Sequence, residues 1–172
     1  MDHINIEIKA RCQDPGRLRA ILRSENADFK GTDHQIDTYF KVNMGRLKLR
    51  EGDIENHLIF YEREDQNGPK QSNVTLYNTV KGSGIKEILA RSLGVLFVVD
   101  KVREIYFIGN VKFHLDSVNR LGTFMEIEAI DIGGKTREEL LGQCNSYMGL
   151  LGIKEDDLLS GSYSDMLMEG RA

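Results

Sequence analysis

The 172-residue chain has no tryptophan, only two prolines and only two cysteines. Cys12 and Cys144 form no CxxC pair and stand at no metal-ligand spacing, which excludes a disulfide framework and a thiolate metal site. They read as reduced, buried thiols. Four histidines, His3, His34, His57 and His114, show no HExxH or i,i+4 arrangement, so they are read as non-ligands, His114 being the one to watch because it shares a strand face with Asp116. There is no GxxxxGK[ST] loop; Lys81-Gly82-Ser83-Gly84 reads as a turn. No apolar run approaches the ~20 residues that span a bilayer. Met1 to Asn5 lacks the basic stretch and apolar run of a signal peptide. The expected compartment is the cytosol, with no membrane contact. Acidic residues outnumber basic ones, 27 against 23, for a formal net charge of −4. That balance argues against a non-specific nucleic-acid binder, although local cations can still hold an anion.

What the chain does have is period-two alternation, the mark of strands with two unlike faces. In residues 3–11, Ile4, Ile6, Ile8 and Ala10 fall on one face, and Asn5, Glu7, Lys9 and Arg11 on the other. Further strands are predicted at 34–43, 46–51, 57–64, 73–81, 95–99, 101–108, 111–117 and 123–131. Short turns such as Met44-Gly45 and Asp65 to Pro69 link several of them, so antiparallel pairing is expected. Helices are predicted from Asp14-Pro15 to about Ala27, over Ile85–Leu93, and after the Thr136/Glu139 capping box. A last amphipathic segment is predicted from Leu158 to Met168. With no repeat, linker or low-complexity segment, the chain reads as one α+β domain over residues 1–172.

The polar faces carry unusual charge: Glu7 and Lys9, Lys48 and Arg50, Arg63, Lys101 and Arg103, Lys112 and Asp116, Glu126 and Glu128. Two readings stand open. These can be solvated outer faces of a sheet backed by helices. Alternatively the sheet closes into a barrel and the charges point inward, which would suit a polyanion with its metal: Arg and Lys neutralise phosphate oxygens, and carboxylates hold a hard divalent cation. Glu126 and Glu128, two apart on one face, repel each other unless something positive sits beside them.

These residues also carry a family resemblance. Asn5-Ile6-Glu7-Ile8-Lys9 resembles the ExExK strand of the CYTH superfamily (class IV adenylyl cyclases and thiamine triphosphatases), with Asn5 in place of the first glutamate. Gln35 to Phe40, Leu47 to Glu51, Val99 to Tyr106, His114 to Asp116, Leu121 to Glu128 and Ser162 to Leu167 resemble the family's later motifs in the same order. The resemblance implies a closed eight-stranded antiparallel β-barrel, a triphosphate tunnel with flanking helices. It implies that Lys9, Lys48, Arg50, Arg63, Lys101 and Arg103 grip a triphosphate. Glu7, Glu126 and Glu128 would hold Mg²⁺ or Mn²⁺, and Asp116 would lie near the reacting end with Lys9 and Arg103. The activity implied is a metal-dependent triphosphatase. The alternatives are a class IV-type adenylyl cyclase and a non-catalytic polyphosphate-binding module. The implied partner is a small triphosphate substrate; a homodimer is compatible with the sequence, but no residue argues for one.

Overall fold

Strand pairing runs without a gap around the molecule. The computed structural model describes residues 2–170. Its strands are β1 (Asp2–Arg11), β2 (Asp28–Phe40), β3 (Arg46–Glu51), β4 (Asn56–Arg63), β5 (Lys70–Asn78), β6 (Val95–Ile108), β7 (Val111–Val118) and β8 (Gly122–Ile130). They close a barrel in the order β1-β5-β4-β3-β2-β6-β7-β8, every neighbouring pair antiparallel. Closure decides between the two readings of the charged faces, because the alternation that puts apolar residues outside puts the charges inside.

The main hydrophobic core therefore lies outside the barrel wall. Ile6 and Ile8 of β1, Val111, Phe113 and Leu115 of β7, and Met125, Ile127 and Ala129 of β8 face outward. They meet Leu18 and Leu22 of α1 (Pro15–Ser24) and Leu140, Cys144 and Leu151 of α3 (Arg137–Leu151). Each such fully buried Ile, Leu or Phe contributes roughly 1.5–3 kcal/mol. Both cysteines are free and buried. A shorter helix, α2 (Ile85–Leu93), buries none of its residues completely. No helix among the described residues is long and apolar enough to cross a membrane.

Several boundaries differ from the sequence reading, each for a pairing reason. β6 is one strand rather than two, because Asp100 falls on the outer face beside His34 (2.7 Å) and leaves the inward parity unbroken. β2 begins at Asp28, not at 34. A register shift between Phe29 and Gly31 absorbs the glycine, whose φ of 130° suits few other residues. β5 runs over 70–78 rather than 73–81, since its first residue, Lys70, pairs with Glu7 of β1 and its last, Asn78, with His57 of β4. α1 stops at Ser24, two residues before Asn26 at φ 55°.

The amphipathic segment expected over 158–168 forms a floor to the barrel. Leu159 N donates to Lys9 O (2.9 Å), which carries the chain across the end of β1. Helix α4 (Tyr163–Glu169), opened by a Ser162/Asp165 capping box, then packs into that end of the barrel. Tyr163, Met166 and Leu167 meet Tyr39, Phe97, Val99, Val118 and Phe124 there. The Lys70 ammonium, 1% exposed as a residue, anchors the crossing by donating to the carbonyls of Leu159 and Ser160 (both 2.9 Å) and Gln66 (3.2 Å). Burial, with Arg63 nearby, lowers its pKa to about 8.

Candidate active site

Above this floor the barrel encloses a cavity of about 520 Å³. All six predicted phosphate-binding cations, Lys9, Lys48, Arg50, Arg63, Lys101 and Arg103, line it, and Lys112 joins them. Glu7, Glu55, Glu126 and Glu128 line it as well. The alternation of β1, β3, β4, β6, β7 and β8 is what brings these groups to one space.

On one side, Asp37 sits at the centre of the cations. It is 1% exposed, accepts two bonds from Arg50 (both 2.9 Å), and also meets Lys101 (2.6 Å) and Lys48 (3.1 Å). Burial alone would raise its carboxyl, but Arg50, Lys101 and Lys48 hold it well below the usual range. Asp33, fully buried in β2, accepts the backbone N–H groups of Asp53 (2.6 Å), Ile54 (2.9 Å) and Glu55 (3.0 Å). This captured loop delivers Glu55 to Arg50 (3.0 Å) and to Lys112.

Lys101 is the most strained of the cations. Burial, followed by the charges of Arg50, Arg103 and Lys48, lowers its pKa to about 7 against the pull of Asp37. Its proton is therefore held less firmly than an ordinary lysine's, and a bound polyanion strengthens that hold. Binding of inorganic triphosphate is expected to take up a proton between pH 7.5 and 9 and to weaken as pH rises. Calorimetry in buffers of different ionisation enthalpy reads the uptake; if Lys101→Met takes up as much, the proton goes elsewhere.

On the other side, Glu126 receives Lys9 (3.0 Å), Arg103 (2.8 Å) and His114 Nδ1 (3.0 Å). Burial opposes its charge, yet Lys9 and Arg103 keep it well below the usual carboxylate range. An ionised Glu126 requires the hydrogen on His114 Nδ1. Burial, helped by Arg103 and Lys112, drops the His114 pKa to about 3, so the ring is neutral at pH 7. Glu7 and Glu128 stand directly opposite each other in the β1–β8 ladder, and Glu7 pairs with Arg63. Burial, with Glu126 and Glu7 alongside, raises Glu128 to about 7 despite Lys112. This corner is short of positive charge.

A divalent cation would relieve that shortage. Ligand atoms of His114, Glu126 and Glu128 lie within 4.8 Å of one another. His114 Nε2 and Asn5 Oδ1 are buried without a hydrogen-bond partner. A carboxylate-rich set with one neutral imidazole and an added need for positive charge suits a hard divalent cation. Of the three predicted metal ligands, two fall in this cluster; the third, Glu7, adjoins it through Glu128. Asp116 lies behind the cavity wall, 2% exposed, accepting from Arg103 Nε (2.7 Å) and Tyr163 Oη (2.7 Å). The Tyr163 ring in turn lies under the Lys9 ammonium, 3.6 Å from its centroid.

Sequence reasoning gave no site role to Asp37, Glu55, Lys112 or Tyr163. Lys112 and Asp37 carried the signal of inward parity; Glu55 shares the parity of His57 and Arg63 but lies in a loop. The Tyr163 contact depends on the fold of the floor, which no local pattern shows.

A closed eight-stranded barrel with a basic interior and an acidic corner defines a class. The chain matches the CYTH domain over residues 3–163 and belongs to that family, whose members are metal-dependent enzymes. A Methanocaldococcus jannaschii protein named "Putative adenylate cyclase" is 22% identical over 95% of this chain and 98% of its own. The Pyrococcus horikoshii protein PH1012 has a solved structure of the same fold, 25% identical with a TM-score of 0.78, covering 94% of this chain and 98% of that one. An adenylyl cyclase-type protein from Hippeastrum, described as having a dominant triphosphatase activity, aligns at 15% identity and a TM-score of 0.63, over 98% of this chain and 96% of that one.

Proposed function

We propose that the protein is a divalent-metal-dependent hydrolase of a triphosphate-bearing substrate. The observation that carries this reading is the enclosed cavity in which seven cations, Lys9, Lys48, Arg50, Arg63, Lys101, Arg103 and Lys112, face a carboxylate corner. Such a space matches a polyphosphate and its counter-ion. Lys48, Arg50 and Lys101 hold phosphate oxygens on the Asp37 side, and Lys9, Arg63 and Arg103 on the other. Asp116 is a positioning residue: it and Tyr163 fix the guanidinium of Arg103. Glu126, Glu128 and Glu7 would hold Mg²⁺ or Mn²⁺, with His114 orienting Glu126. The metal, when bound, supplies charge neutralisation at the phosphoryl oxygens. Water attacks the terminal phosphorus as the bridging P–O bond breaks, and the bond electrons leave with the departing phosphate chain. The protein's part is positioning and charge stabilisation.

The name of the M. jannaschii relative supports a second reading, a cyclase in which the ribose 3′-hydroxyl attacks the α-phosphorus and pyrophosphate leaves. One experiment separates them. The protein is incubated with Mg²⁺ or Mn²⁺ and, in separate tubes, inorganic triphosphate, thiamine triphosphate and ATP. Orthophosphate release is the expected result. Cyclic AMP with pyrophosphate would put the cyclase first. Triphosphate binding without turnover in any tube would make the protein a binding module.

Asn5 tests the metal corner. It lines the cavity two residues before Glu7, and its Oδ1 is buried and unpartnered. Asn5→Glu adds a carboxylate where the amide oxygen brings no charge, so Mn²⁺ affinity is expected to rise by about tenfold. Titration of Mn²⁺ by electron paramagnetic resonance measures it directly, and an unmoved curve would remove Asn5 from the coordination shell.

A further inference from the structure

The helices cover the barrel unevenly. α1 and α3 pack on β1, β7 and β8, and α2 lies against β2. On β5 the outer wall is left to solvent, and the residues exposed there, Asn73 and Thr75, are the polar kind that a solvated sheet face carries. On β6 the outer wall is also open, yet it carries Leu96, Val98 and Val102, which are 45%, 47% and 42% exposed. Leu93, the exposed last residue of α2, leads into this stripe. A contiguous apolar stripe on one wall, beside a polar wall of the same barrel, marks a surface that another molecule covers.

One polar pair interrupts the stripe. Across the β2–β6 ladder His34 stands opposite Val102, and Ile36 opposite Asp100. The four outward side chains form a block with its apolar members on one diagonal and its polar members on the other. Along the polar diagonal, His34 Nε2 meets Asp100 Oδ1 at 2.7 Å. An imidazole and a carboxylate each have a second polar atom for a further partner.

That block is its own complement. In an isologous contact the same patch serves both copies, and the twofold axis lies in the plane between them. With the axis along the Ile36–Val102 diagonal, Ile36 and Val102 each meet their own counterpart, and His34 of each copy meets Asp100 of the other. Charges on this stretch of wall are paired within it, His34 with Asp100 and Arg19 with Glu104 (2.7 Å). That favours a partner of matching pattern over the phosphates of a nucleic acid or of a lipid surface.

We propose that the outer β2–β6 face is the contact between two copies of this chain, a twofold dimer that covers the Leu96–Val98–Val102 stripe and exchanges the His34–Asp100 pairs across its axis. The alternation that sends Lys101 and Arg103 into the cavity sends these residues out, so each copy keeps a complete site.

The test is sedimentation equilibrium of the full chain. The unaltered protein is expected to show twice the mass of one chain at about 10 µM, a concentration at which a standard-sized interface holds. Val98→Lys combined with Val102→Lys places charge under the contact and is expected to weaken self-association by about a hundredfold or more. Binding of inorganic triphosphate to that variant is expected to be unchanged. His34→Asp and Asp100→His are each expected to weaken the dimer by about tenfold, since symmetry counts each change twice. An equimolar mixture of those two variants is expected to recover it, because the carboxylates of one then face the imidazoles of the other while the bond within each chain stays broken. A monomer at about 100 µM would overturn the proposal and leave the face to a different protein. A dimer indifferent to the two lysines would overturn it by placing the contact elsewhere. A mixture no tighter than its components would overturn the twofold arrangement. The mass of the unaltered protein decides first, whether or not a variant folds.

Discussion

Glu126→Gln is expected to lower metal-dependent turnover by about a hundredfold or more, the scale on which single electrostatic groups act in such sites. Glu126 is the point where the two halves of the chemistry touch, receiving Lys9, Arg103 and His114 at 2.8–3.0 Å. The amide keeps the shape and loses the charge, so the metal corner loses a ligand charge while Arg103 keeps Asp116. Binding of inorganic triphosphate in EDTA should move the other way and tighten severalfold, because a negative charge has left a cavity built for an anion. That opposed pair of changes, kcat down and metal-free affinity up, distinguishes a metal ligand from a phosphate-binding partner. Full activity in Glu126→Gln would place the metal elsewhere.

Asp37→Asn is expected to have the largest effect on stability. The carboxylate is the common counter-ion of Arg50, Lys101 and Lys48. Removing one member of a buried charge cluster costs about 3–5 kcal/mol, because the remaining charges are left uncompensated. For a chain of this size that is a fall in Tm of roughly 10 °C. Because the folded state holds Asp37 well below its ordinary pKa, its contribution is present above about pH 4 and is lost as the pH falls further. A triphosphate should restore much of the loss, since it brings negative charge to the same three cations, and ligand that binds only the native state stabilises it. The variant should therefore gain more in Tm from inorganic triphosphate than the unaltered protein does. Equal gains in a thermal melt would show that Asp37 and the ligand do not share those cations.

The strand pattern and the inward charges could be read from the sequence because both have a period of two, and Lys48-Leu49-Arg50 or Glu126-Ile127-Glu128 displays that period within three residues. Whether such a face points to water or to an enclosed space could not be read, since closure is a property of eight strands together and β1 meets β8 across more than a hundred residues. The resemblance to a known family bridged that gap for the cations and the glutamates. It also reached Asp116, as a residue near the reacting end, but not its place behind Arg103. It did not reach Asp33, which captures a loop twenty residues away, or Lys70, which binds the carbonyls of Leu159 and Ser160 at the floor. Asp33 and Lys70 are buried polar residues whose main partners lie about 20 and 90 residues away, beyond any local pattern. His114 shows the same limit: its shared face with Asp116 marked it out, but only the β7–β8 ladder sets it opposite Glu126.

The order of strands has a kinetic side. β2 to β5 form one meander and β6 to β8 another, each made of local hairpins. The seams are the β2–β6 pairing and the two pairings of β1, and only there do Lys101 and Asp37, 64 positions apart, or Lys112 and Glu55, 57 apart, come together. Hairpins form quickly and long-range pairing slowly. Until the seams close, Arg63 in the first half lacks Glu7, Glu126 in the second lacks Lys9, and Lys101 lacks Asp37. Sealing the barrel is thus the step at which charge is buried, and it is a step that dissolved ions and polyphosphates can hasten before there is any finished pocket for them to enter.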